Sequence, residues 1–129
     1  MTRSSEGARR RFDWEELTDA ELMKVPIREL GVRIEGTWID ECLTELYEEL
    51  VRRDLRFRPH AWLSSEWFVP DGIPGIAIPF YLTHPRLMNL ERKHMLEVEG
   101  GTRPEMMKIL RHECGHAIDN AFALRREAG

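Results

Sequence analysis

The chain has 129 residues, 42% of them hydrophobic and 33% charged, and its 19 Lys+Arg against 23 Asp+Glu give a net charge of -4. This length supports one domain with its own core and no need of disulfides, and the composition excludes a disordered or fibrous chain. The excess of acid removes the broad positive field that draws proteins to nucleic acid or anionic membrane, so neither is an expected partner.

Residues 1–12 mix serine and glycine with Arg9-Arg10-Arg11 and hold almost no apolar side chain, which predicts a solvated tail ahead of a domain over 13–129. No apolar segment follows the charged start, as a secretory signal requires. The longest apolar run, Ile73 to Leu82, is broken by Pro74 and Pro79 and is about half the roughly 20 residues of a membrane span. Cys42 and Cys114 have neither C-x-x-C spacing nor the density of a disulfide scaffold, which fits a reducing, cytoplasmic setting.

Thr18-Asp19-Ala20-Glu21 is a capping-box pattern that opens a short helix, and Pro26 must end or bend it. Ile27 to Glu35 reads as a connector. A stronger helix starts at Thr37, with Trp38, Ile39, Cys42, Leu43, Leu46, Tyr47, Leu50 and Val51 recurring along one face and therefore expected in the core. From Phe57 to Leu82, short aromatic and β-branched runs alternate with proline and glycine, which is strand-and-turn chemistry. Trp62, Trp67, Phe68, Phe80 and Tyr81 are expected to pack in the core. Pro79 cannot donate to a sheet ladder, so its run predicts an exposed edge strand able to align an extended peptide along Ile76, Ala77, Ile78 and Phe80. Arg86 to Glu97 reads as a short helix or irregular segment. After Gly100-Gly101, Thr102-Arg103-Pro104-Glu105 combines a capping box with an early proline and predicts a long helix to about Arg126.

That last helix carries the chemistry, as His112-Glu113-Cys114-Gly115-His116, an H-E-x-x-H motif. Histidines four apart lie one turn above each other, so both imidazoles can reach one zinc ion at about 2.0–2.1 Å. Glu113 lies beside them, where its carboxylate can exchange a proton. At about 100° per residue, Ile109, His112, His116 and Asp119 share the front of the helix, while Met106, Leu110, Cys114, Ala117 and Ala121 fall behind. Asp119 lies about 10 Å along the axis from His112, too far to complete the same metal site, and is expected to support the ligands through hydrogen bonding. Cys114 points away from the histidines and reads as core, whereas Gly115 offers room for a neighbouring backbone. His60, His84 and His94 are weaker candidates for a third ligand.

Around the run His112 to Asn120, the chain resembles zincin metallopeptidases, in particular bacterial zinc-binding metallopeptidases, and its H-E-x-G-H-A-x-D core is similar to that of lethal-factor-type gluzincins. The resemblance runs from about Trp38 to the C-terminus and includes Pro74 to Tyr81 and Glu97 to Gly101. It implies an α+β zincin-like fold: N-terminal helices, a small twisted sheet with an exposed edge strand, and a long C-terminal zinc helix. It also implies zinc as cofactor, His112 and His116 as ligands, Glu113 as catalytic acid/base, and a peptide or protein substrate. Gluzincins take a third ligand from a glutamate on a later helix, and only thirteen residues follow His116. The domain is therefore expected to stop short of that ligand. Two other classes compete: a zincin-fold module that binds without turnover, and a di-iron bundle built on Glu91…His94 and Glu113…His116.

Overall fold

Thr18 caps the first described helix, α1 (Asp19–Met23), as the sequence predicts: its hydroxyl accepts from the Glu21 amide and the Glu21 carboxylate accepts from the Thr18 amide. The computed structural model describes residues 16–95 and 98–128, and side chains as far as residue 123. The expected tail over 1–12 lies outside the described residues. The chain divides into two units, Met1–Arg33 and Ile34–Gly129, and the histidine pair lies in the second. In the first unit, α1 is followed by a 3-10 turn over Ile27–Glu29.

The second unit is α+β. Its described elements, in chain order, are α2 (Trp38–Arg52), β1 (His60–Ser64), β2 (Gly75–Pro79), a 3-10 turn (Phe80–Thr83), α3 (Pro85–Met95) and α4 (Arg103–Ala128). Thr37 caps α2 by accepting from the Ile39 amide. The helix buries Ile39, Cys42, Leu43, Leu46 and Leu50, with Trp38 and Tyr47 packed at the margin of the core. Val51, expected on the same stripe, is instead 74% exposed, because it falls one residue beyond the face that Leu50 closes. Polar ends of the marginal aromatics tie elements together: the Trp38 indole donates to the Leu82 carbonyl at 2.7 Å, and the Tyr47 hydroxyl donates to the Pro59 carbonyl at 2.8 Å.

The two strands pair in parallel, with His60 opposite Gly75 and Ser64 opposite Pro79. The ten residues between them carry Phe68 to the far side of β2, where it exchanges two hydrogen bonds with Ala77 at 2.8 and 3.3 Å. This corrects the expected exposed edge. Pro79 ends β2, and the alternation of backbone groups turns its missing donor away from β1, on the same side as Ala77. The centre of that side is already paired with Phe68, and every residue of β2 is buried. Phe80 lies in the 3-10 turn and not in the strand. Trp62, Trp67 and Tyr81 are half-buried, as is Phe80, while Phe68 is 41% exposed and does not join the core.

Between the strands, Gly72 at φ +75° closes a turn in which the Ile73 amide donates to the Pro70 carbonyl, a conformation that favours glycine. β2 and α2 both pack on α4, enclosing a core of Ile76, Ile78, Leu82, Met106, Met107, Leu110, Cys114 and Ala117 with the α2 stripe.

Candidate functional site

Helix α4 forms as its sequence directs. Thr102 accepts from the Glu105 amide and its carbonyl accepts from Met106, so the helix opens at the predicted cap. Its back buries Met106, Met107, Leu110, Cys114 and Ala117, which fixes the rotation of the whole helix about its axis. His112, His116 and Asp119 are exposed on the opposite side, Ile109 is half-buried, and Glu113 is half-buried at the boundary between the two faces. The expected division of the helix is thus present.

The two imidazoles lie with ring centroids 5.0 Å apart, edge to face. Two imidazole nitrogens at about 2.0–2.1 Å from one ion in a tetrahedral arrangement place their ring centroids roughly 5 Å apart. The observed spacing is of the size that two imidazoles bound to one ion would show. No group of three or more His, Cys, Asp or Glu side chains is placed to hold a metal ion among the described residues.

The other candidates serve elsewhere. Asp119 is exposed and joins no such group. His84 accepts from the Arg86 amide at 3.0 Å through Nδ1 and so braces the start of α3. His60 stacks on Trp62 at 5.8 Å. His94 is exposed on α3 and, with Glu91, does not combine with the α4 pair, so the di-iron arrangement is not assembled among the described residues. Ile76 and Ile78 are fully buried and Ala77 is engaged by Phe68.

Burial raises the thiol pKa of Cys114 and of Cys42. Cys114 is a protonated core residue, consistent with its direction away from the histidines. A Cβ added at Gly115 would meet nothing within 4 Å among the described residues, so none of their backbone uses the room expected there.

Two features near the site were not foreseen. Asn120 stands four residues beyond His116, and its amide donates to the carbonyls of Pro70 at 3.0 Å and Ile73 at 2.9 Å, clamping the turn before β2 to α4. On the opposite flank, Arg111 forms a two-point pair with Glu49 at 3.0 and 2.7 Å, and Arg103 reaches Glu45 at 2.9 Å and Glu41 at 3.4 Å. The signal for this second feature lay in the spacing: Glu41, Glu45 and Glu49 recur every fourth residue on α2, and Arg103 and Arg111 stand eight apart on α4. Comparisons with protein-family models, with curated proteins and with solved structures find no match.

Proposed function

We propose that the chain is the zinc-binding part of a zincin-like, zinc-dependent metallopeptidase that acts on peptide or protein substrates. The observation that carries this reading is the exposed His112–His116 pair, 5.0 Å between ring centroids, on a helix whose opposite face is locked into the core. His112 and His116 would hold the ion, and the chemistry that zinc supplies when bound is Lewis acidity, which polarises a carbonyl and acidifies water. Glu113 is one residue from the first ligand and half-buried; its role would be to take a proton and return it to the leaving amine. A catalytic zinc needs three protein ligands, and no third is placed beside the pair among the described residues of one chain. Free, buried thiols at Cys42 and Cys114 support a reducing, cytoplasmic setting.

The lack of a third ligand also favours a second reading, a zinc-binding module without turnover. Elemental analysis after equilibration with zinc, paired with mass spectrometry of a mixed peptide library, separates the two. Zinc is expected to be lost in His112→Ala and His116→Ala and kept in Glu113→Gln, with peptide cleavage lost in all three variants. Zinc retained by both histidine variants removes the site. Zinc held with no cleavage of any peptide, both by the native chain and by a longer chain that supplies a downstream Glu ligand, selects the module.

A further inference from the structure

We propose that two copies of this chain bind one zinc ion between them, each contributing His112 and His116, with their α4 helices antiparallel. The proposal rests on the reading of this pair as zinc ligands and adds the source of the missing coordination. Zinc in a closed site takes four ligands in a tetrahedron, and one chain supplies two from its described residues. A second copy presents the same exposed pair at the same spacing, so a two-fold axis through the ion completes four nitrogens with no further residue.

The surroundings of the pair select the antiparallel arrangement. Measured from the point midway between the histidines, Lys108 lies about 9 Å toward the start of α4 and Asp119 about 7.5 Å toward its end. Both are turned to the same side of the histidine line, by about 60° and 40°. A two-fold axis that reverses the helix direction keeps that side and exchanges the two ends. Lys108 of each copy then lies within one helical position of Asp119 of the other, giving two equivalent opposite-charge pairs. With parallel helices, the same groups would stand about 16 Å apart along the axis. Glu105, also exposed on this face, would meet Ala123 in the antiparallel form, so no like charges oppose each other on the centre line. Four nitrogens leave the ion no open position, and the shared form therefore stores the site closed instead of hydrolysing peptides.

Sedimentation of the 129-residue chain with zinc chloride, and again after adding EDTA, tests the proposal. The mass is expected to double from 15.2 kDa at half an equivalent of zinc, to revert with the chelator, and to stay monomeric in His116→Ala. Lys108→Glu should weaken the dimer about fivefold, and Lys108→Glu with Asp119→Lys should restore it. Circular dichroism establishes that each variant is folded. One zinc per monomer overturns the shared site while leaving the histidines as ligands, and absence of zinc uptake overturns both readings. A zinc-dependent dimer that persists in His116→Ala, or one indifferent to the charge exchange, rejects the arrangement.

Discussion

A methyl group at position 75 would lie 2.6 Å from Cζ3 of Trp62 and 3.0 Å from the carbonyl oxygen of His60. The indole can tilt, but the carbonyl belongs to the strand paired with β2 and has little freedom to retreat. Gly75→Ala is therefore expected to cost about 1–3 kcal/mol by forcing the two strands apart. Gly115 presents the opposite case, since an added methyl meets nothing and the residue sits inside a helix, where alanine is favoured by about 1 kcal/mol. Thermal unfolding followed by circular dichroism should show Gly75→Ala melting several degrees lower and Gly115→Ala melting higher. Equal melting temperatures for the two variants would show that neither the strand spacing nor the open helix face is as described. This pair of glycines separates a residue that the packing requires from one that it merely tolerates, although both stand beside residues of interest.

At the scale of elements, α2 and α4 are joined by apolar burial along one flank and by charge along another. Arg111 gives Glu49 two hydrogen bonds, which hold the Glu49 carboxyl below its usual range, first by hydrogen bonding and then by charge. The arginine is 51% exposed, so solvent screens the pair and Arg111→Ala should cost under about 1 kcal/mol. A depressed carboxyl contributes stability above its unfolded pKa, near 4.3, and loses that contribution as pH falls through its folded value. The gap between the native chain and Arg111→Ala, measured by urea unfolding, should therefore be present at pH 6 and close below about pH 4. A gap that is constant across this range would assign the loss to the packing of the arginine stem. The same elements show what the sequence could tell and why. Caps at Thr18, Thr37 and Thr102 and the stripe from Ile39 to Leu50 were legible, because both signals are local and repeat with the helical period. The parallel pairing of β1 with β2 was not, because alternation along a strand says which face is apolar but not which strand lies beside it. Pro79 correctly marked a side of β2 without a continuing ladder, yet the return of Phe68 to Ala77 is a non-local event with no sequence pattern of its own. The division of α4 into a histidine face and a core face was readable from spacing alone, whereas the clamp from Asn120 to Pro70 and Ile73 depends on a turn that lies about fifty residues away in the chain.

For the molecule as a whole, the buried titratable groups share one direction, and they set how its stability responds to alkali. Cys42, Cys114, Tyr47 and Tyr81 are all raised chiefly by desolvation, since each is neutral when protonated and would have to ionise within or beside the core. A group raised in the folded state holds its proton more tightly there than in the unfolded chain. Its contribution is complete below the unfolded pKa and disappears as pH rises through the folded one. The thiols begin this loss near pH 9 and the phenols near pH 10, so alkaline destabilisation should start at about pH 9 and steepen above 10. Arg58, whose guanidinium lies 4.4 Å from the centre of the Tyr47 ring, lowers that phenol and moderates the effect at this one position. Cys42→Ser would confuse burial with titration, so the sharper comparison is Cys114→Ala: it leaves a small cavity at every pH but no thiol to ionise. Urea unfolding from pH 7 to 10.5 should show Cys114→Ala weaker than the native chain at pH 7, with the difference narrowing above pH 9. A difference that stays constant in alkali would mean that the native thiol ionises as readily in the folded chain as in the unfolded one, and a difference that widens would mean that it ionises more readily when folded; Cys114 would then have to be reconsidered as a reactive group behind the histidine pair.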